Sequence, residues 1–182
     1  MLRLCLLSIL VSLFNACTEH EIESEQQLEP TYWQKLVFGD RWSLLETHLD
    51  PFLDQLGTRK ACSSLDYGPE YEGVEVSTKF CGYMSLVQPL SVALQKGETL
   101  KFNFWHNLLI SNPPAEGMIS IQIADQVLWS QRLSIPSPAE VWTVEISSPQ
   151  DFKVGEQVIF HVRNHGANSY TLNELSVARY EH

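Results

Sequence analysis

The sequence has no long hydrophobic run, a shortage of positive charge, and almost none of the short motifs that announce chemistry. Its one leading apolar stretch, Leu4 to Phe14, is about half of the ~20 residues that a helix needs to span a bilayer, which argues against a permanent transmembrane segment there. Lys and Arg number 12 against 22 Asp and Glu, for a net charge of −10. Such a surface repels phosphate backbones and excludes nucleic acid as a natural partner. There is no G-x-S-x-G elbow, no H-E-x-x-H pair, no C-x-x-C and no D-x-D-x-D calcium loop, so nucleophilic, zinc-hydrolase, thiol-redox and EF-hand chemistry all lack their usual signatures. A glycosidase needs two facing carboxylates, one of raised pKa, and no pattern here places such a pair. No internal repeat and no long amphipathic helix interrupt the chain. The expectation is a protein that is not an enzyme.

What is present begins at the N-terminus. Arg3, the short apolar run and the small residue Ala16 describe a secretory signal. The exit, Leu13-Phe14-Asn15-Ala16-Cys17, resembles the lipobox of bacterial lipoproteins, in which the cysteine becomes the first mature residue and carries the acyl chains. Phe14 stands where an aliphatic residue is usual. The resemblance implies a signal peptide over residues 1–16, lipidation of Cys17 and attachment to the cell envelope. Thr18, rather than aspartate, after the cysteine implies the outer membrane. Several acyl chains make such an anchor durable, because each buried methylene contributes ~0.8 kcal/mol and a single chain holds only marginally. The leader carries one arginine and no acid, so the mature chain is one unit more negative and depends on its anchor rather than on a basic patch. Residues 17–30 are polar and rich in glutamate and read as a solvated tether.

Residues 31–182, with 44% hydrophobic and 19% charged residues in the whole chain, suit one globular domain. Cys5 lies in the leader and Cys17 at the anchor, leaving Cys62 and Cys81. In an oxidising exported compartment these two most simply pair. Closing a loop of that length stabilises a fold by ~3 kcal/mol in the chain-entropy account.

From Thr31 to Leu56 the pattern is mixed. Tyr32, Trp33, Leu36 and Val37 fall on one helical stripe and predict a short helix, Asp50-Pro51 marks a turn, and PFLDQLG ends on a possible glycine cap. Asp50 and Asp54 read as surface acids. Beyond Gly73 strict alternation takes over. In LKFNFW, Leu100, Phe102 and Phe104 share a face. In MISIQI, Ile119, Ile121 and Ile123 point inward, and in QVIFHVR so do Val158, Phe160 and Val162, with Ile159, His161 and Arg163 outward. VEVSTKF, YMSLVQPL, VLWSQRLSI, WTVEI and YTLNELSVAR complete eight or nine short strands, the last with a phase slip between Leu172 and Leu175 that predicts a bulge. Strands with one apolar face need a second sheet to cover it. The predicted fold is all-β: an antiparallel two-sheet β-sandwich, jelly-roll-like, with a short helical N-terminal segment.

The stretch from Gly155 to Leu172, GEQVIFHVRNHGANSYTL, resembles the closing hairpin of galactose-binding-like and carbohydrate-binding-module-like jelly rolls, and its NHG-x-N-S corner is similar to that of exported bacterial proteins for which no activity is implied. With LKFNFWHNLL and MISIQIADQVLW the resemblance covers about two thirds of the mature chain. It implies a non-catalytic binding domain for glycan or for a partner protein, a structural scaffold being the alternative and a small envelope hydrolase a more distant one, and it leaves room for a structural calcium ion and no other cofactor. The candidate ligand-binding residues are Trp105, His106, Trp129, His161, Asn164, His165 and Asn168. Each also has a plainer reading. Tryptophans fill sandwich cores, histidines sit at corners, and Asn and Gly tie turns and accept positive φ. Trp105, out of phase with Phe102 and Phe104, has the strongest claim to an outward face.

Overall fold

The computed structural model describes residues 29–180 of the chain, so the leader, the Cys17 anchor and nearly all of the tether lie outside the described residues. Among the described residues eleven strands run in order: β1 (Tyr32–Lys35), β2 (Ser43–Leu44), β3 (Tyr67–Glu70), β4 (Gly73–Ser77), β5 (Tyr83–Pro89), β6 (Thr99–His106), β7 (Ala115–Ile123), β8 (Gln126–Ile135), β9 (Glu140–Ser147), β10 (Gln157–Arg163) and β11 (Ser169–Arg179). They form two antiparallel sheets. The first has the order β3-β4-β11-β6-β9, with β1 also on β11; the second has the order β2-β5-β10-β7-β8. From β4 onward the chain repeatedly crosses from one sheet to the other, which makes this the two-layer sandwich that the alternation required.

The inward residues meet between the layers. Phe104 of β6 lies edge-on to Phe160 of β10 at 6.3 Å and stacks on Trp142 of β9 at 5.3 Å. Phe102, Tyr170, Leu100, Ile119, Ile121, Val158 and Val162 are buried around them. Full burial of each such side chain contributes about 1.5–3 kcal/mol, so this interior, rather than any single polar contact, holds the layers together. The bulge expected in the last strand is present, as a register shift of β11 against β6 between Leu172 and Glu174.

The N-terminal segment departs from expectation. Residues 32–35 form a strand, not a helix, and pair with Ser176–Arg179. The cause is the edge of β11. One edge pairs with β6, while β4 covers the other only from Ser169 to Leu172. The remaining N–H and C=O groups of a largely buried strand need partners, and β1 supplies them, with Thr31 N donating to Arg179 O and Leu36 N to Leu175 O at the two ends. Helical structure in this region is three isolated 3-10 turns, at Gly39–Arg41, Thr47–Leu49 and Leu53–Gln55. Among the described residues no helix is long and apolar enough to cross a membrane.

Cys62 and Cys81 are bonded, with Cα atoms 5.0 Å apart. The bond fastens the end of an irregular segment, residues 45–62, to the start of β5, where Cys62 N also donates to Tyr83 O at 2.8 Å.

Candidate functional site

The outer face of the first sheet is set by the alternation of β6. Thr99, Lys101, Asn103 and Trp105 point away from the core, while Leu100, Phe102, Phe104 and His106 are buried. Trp105 is half-buried, opposite Val141 of β9 on one side and Thr171 of β11 on the other, and Thr171 in turn faces Glu75 of β4. Two strand spacings therefore separate the indole from Glu75, about 10 Å. Among the described residues no ring stacks on Trp105 and no acceptor takes its indole N–H, while the buried Thr171 Oγ1 also lacks a partner. Burial, and then the nearby Glu70, raise the Glu75 carboxyl above its ordinary range, and a hydrogen bond with Ser169 opposes them. Beside it lies an open trough of about 200 Å³ lined by Asp66, Tyr67, Glu70, Glu75 and Ser77. That is below the ~300–1,000 Å³ of pockets that engulf a small molecule, and it suits a ligand laid across the sheet.

The floor next to Trp105 is rigid. Thr143 Oγ1 donates to Asn103 Oδ1 at 2.8 Å, Asn103 Nδ2 to Glu174 Oε2 at 2.6 Å, and Ser176 Oγ to Glu174 Oε1 at 2.7 Å. Lys101 Nζ lies 3.3 Å from Glu174 Oε1 and 4.2 Å over the Trp33 ring. These polar groups serve one another across β9, β6, β11 and β1.

The outer face of the second sheet is different because residues 45–56 lie over it. Leu45, Phe52, Tyr83 and Ile159 form a small apolar cluster with Leu56, Val87 and Met118. Phe52 stacks on His161 at 4.3 Å and Tyr83 meets the same ring edge-on at 5.0 Å. Ser85 Oγ lies 2.9 Å from His161 Nδ1, and Tyr83 Oη donates to Asp50 Oδ2 at 2.7 Å. Burial lowers the His161 pKa to about 4, the Asp50 charge opposing it only partly. Burial and the Asp50 carboxylate raise that of Tyr83. Asp50, read from sequence as a surface acid, thus fastens the cover, with Oδ1 also accepting from Phe52 N at 2.9 Å. A serine, a histidine and an acid meet here, but not as a working nucleophile. His161 is 0% exposed and Ser85 4%, His161 Nε2 has no partner among the described residues, and Phe52 seals the ring from any substrate.

The NHG-x-N-S corner between β10 and β11 is a hydrogen-bonded knot. Asn164 Nδ2 donates to Thr78 Oγ1 at 2.6 Å and to Gly166 O at 2.8 Å. Asn168 Nδ2 lies within bonding distance of Asn164 Oδ1, His165 O and Ile110 O, and Asn168 Oδ1 accepts from Ile110 N at 2.7 Å. Tyr170 Oη also donates to Asn164 Oδ1. Gly166 has φ +86°, and a Cβ there would lie 2.0 Å from Ile110 O, so only glycine fits.

The seven candidate ligand residues therefore do not share a surface. Trp105 is outward on the first sheet. Trp129 faces the core, 5.3 Å from Phe102, because β8 carries a register shift against β7 that leaves Trp129 opposite the inward Ile121. His106 is buried between Trp142 and Tyr170, with Nδ1 2.6 Å from Asn107 O. His161 lies under Phe52. Asn164 and Asn168 are committed to the corner, and His165 is exposed against the Arg59 guanidinium. Sequence reading passed over Glu75, Thr171, Tyr83 and Arg59, and took Asp50 for a surface acid. The one available signal was Ile159, an apolar residue in an outward position of QVIFHVR. Among the described residues no group of three or more His, Cys, Asp or Glu side chains is placed to hold a metal ion, so they offer a structural calcium no carboxylate cage.

No family model matches the sequence, and no curated protein matches it. Solved structures do. The chain is similar to CBM4 at 15% identity, covering 77% of this chain and 87% of that one with a TM-score of 0.45. It is similar to the K3 cleaved adhesin domain of Lys-gingipain from Porphyromonas gingivalis at 12% identity, 81% and 99% coverage and a TM-score of 0.46. It is also similar to TmCBM61, solved with β-1,4-galactotriose, at 9% identity, 83% and 90% coverage and a TM-score of 0.39. Likeness of this degree assigns neither family nor ligand; the sandwich class rests on the two antiparallel sheets themselves.

Proposed function

We propose that this chain is a non-catalytic binding module of the bacterial cell envelope, held to the outer membrane through lipidated Cys17, that takes a glycan across the outer face of its first sheet at Trp105. The observation that carries the reading is Trp105 itself: an outward indole without a stacked partner, beside a stiff polar floor and a shallow trough edged by Glu70, Glu75 and Ser77. An aromatic face with a few placed polar groups is the usual make-up of a sugar-sized site.

A glycan array probed with the purified protein tests the reading. Binding to envelope or capsular sugars is expected, and Trp105→Ala weakens it by about tenfold or more, the equivalent of ~1.4 kcal/mol, without lowering the melting temperature. Unchanged binding by that variant would move the site elsewhere. The anchor is checked separately: Cys17→Ser shifts the protein from the membrane to the soluble fraction. A protein partner is the second reading, favoured by the exposed Phe80, Leu108 and Ile110 in loops that the corner ties together. Under that reading Leu108→Ser with Ile110→Ser abolishes binding and Trp105→Ala leaves it intact.

A further inference from the structure

On the second sheet, where residues 59–62 meet the β10–β11 corner, three basic side chains come together. Arg59 places Nη2 against His165 Nε2 and donates from Nη1 to Gln55 O at 3.3 Å. Burial and then Arg163, outward at the end of β10, lower the proton affinity of Arg59, and Arg163 acts in the same direction on His165 after burial and Arg59. The Nε atoms of Arg59 and Arg163 are buried and have no partner among the described residues. The carboxylate at hand is Glu116, 3.2 Å from Arg163 Nη2, and it is shared with Arg132 at 3.3 Å. For a chain of net charge −10 this is an unusual concentration of like charge. His165 is held below its ordinary pKa first by burial, then by Arg59 and Arg163.

The cluster is built into the fold. Cys62–Cys81 pins the segment, Gly82 N donates to Lys60 O at 3.0 Å, and Asn164 N donates to Gly82 O at 2.9 Å. A Cβ on Gly82 would lie 2.8 Å from Asn164 O and 3.5 Å from Arg59 Cδ, so a glycine lets the arginine and the corner close on each other. Like charges held together repel, and a bound negative group reverses the sign of that interaction.

We propose that Arg59, Arg163 and His165 form a binding site for an oxyanion, either the carboxylate of an acidic sugar or a free inorganic oxyanion such as sulfate. The guanidinium forks match the planar and tetrahedral geometry of such groups. His165, whose Nε2 accepts from Arg59 while the ring is neutral, becomes a donor when protonated, so anion and proton bind together. By reciprocity the anion raises the His165 pKa, and acid tightens the anion. This site lies on the opposite sheet from Trp105 and does not depend on it.

The test uses the purified whole protein. Imidazole resonances are followed by NMR through a pH titration with and without sulfate at about ten times the ionic background of the buffer, with His165→Gln identifying the signal. The His165 pKa is expected to rise by about half a unit or more, and Arg59→Gln to abolish the rise. Calorimetry with oligogalacturonate, neutral galactan and sulfate, at about pH 5.5 and 7.5, is expected to show several-fold tighter binding of the acidic ligands at the lower pH and about a tenfold loss in Arg59→Gln, with Lys153→Ala, far from the corner, unchanged. Oligogalacturonate binding much tighter than sulfate assigns the site to an acidic glycan; equal affinities assign it to a free oxyanion. A His165 pKa indifferent to sulfate, or equal binding by wild type and both Arg59→Gln and His165→Gln, overturns the proposal. Failure of neutral glycans on the array with sulfate still raising the His165 pKa sinks only the Trp105 reading.

Discussion

The two outer faces of the sandwich are built from the same alternating strands and have opposite fates. On β6 the outward residues Lys101, Asn103 and Trp105 remain in contact with solvent, and Lys101 and Asn103 lace to their neighbours through side chains. On β10 the outward residues Ile159 and His161 are as buried as the inward Phe160, because Leu45, Phe52 and Leu56 lie over them. Direction along a strand is a property of the backbone, whereas exposure is a property of whatever else folds on top. Beneath that cover no ligand reaches the strands without rearrangement, which is why the glycan reading rests on the first sheet and not on the buried Ser85–His161 pair.

The covering segment is the sharpest place to break that contrast. Phe52 is the aromatic that closes the face, so Phe52→Ala removes a buried ring and leaves a cavity above His161. Substitutions of that kind lower stability by about 3–5 kcal/mol, and urea unfolding should show a loss in that range. Less than about 1 kcal/mol would mean that the segment is not held against the sheet. Somewhat smaller is the effect of cutting the tie. Cys62→Ser with Cys81→Ser frees a loop of 19-residue separation, worth about 3 kcal/mol in the chain-entropy account. Amide exchange in that variant should accelerate around Ser85 and His161 first, leaving Asn103 protected; uniform acceleration would show that the two faces unfold as one.

Acid should act on the same face. The folded pKa of His161 is about 4 against ~6.5 unfolded, so the fold favours the neutral ring. This contribution is whole above about pH 6.5 and is lost as the pH falls toward 4. By linkage the loss is about 2 kcal/mol by pH 5 and about 3 kcal/mol in full. The groups around the ring are Ser85 and Tyr83 from β5, Asp50 from the cover and Arg163 along β10. A His161→Phe variant should lose stability more gently between pH 7 and 5 than the native protein, as read by melting temperature, and parallel curves would assign the acid sensitivity to other groups.

Much of this was legible from the sequence, and the failures share a cause. From Gly73 onward the strands, and the inward sets of LKFNFW, MISIQI and QVIFHVR, followed from period two, and the bulge in β11 from a slip in that period, because a half-buried strand writes its environment into alternate residues. The cover over β10 has no period. It joins Phe52 to His161, more than a hundred positions apart, through turns whose composition says only that they are turns. Ile159 was the trace it left, an apolar residue where a solvated face would carry a polar one. Trp129 was placed by a register shift in β8 that no local pattern announces, and the stretch opening with β1 was read as a helix because Tyr32, Trp33, Leu36 and Val37 satisfy a helical stripe equally well; the demand that decided it was the bare edge of β11. At the candidate site Trp105 was visible as a phase anomaly, but Glu75 and Thr171 reach it only through pairing across three strands.

The smallest expected effect lies on the open face and completes the contrast. Asn103 bonds Thr143 and Glu174 in a row that water can reach. Replacing it with alanine removes two hydrogen bonds, but solvent compensates the partners, so the loss should be about 1 kcal/mol or less, well below that of Phe52→Ala. Glu174 keeps Lys101 and Ser176 and is not left isolated. If the row serves to stiffen the bed of Trp105, Asn103→Ala should weaken glycan binding more than it lowers the melting temperature would suggest. A stability loss as large as that of Phe52→Ala would show that the open face carries the fold as much as the covered one, and the division of labour between the two sheets would have to be abandoned.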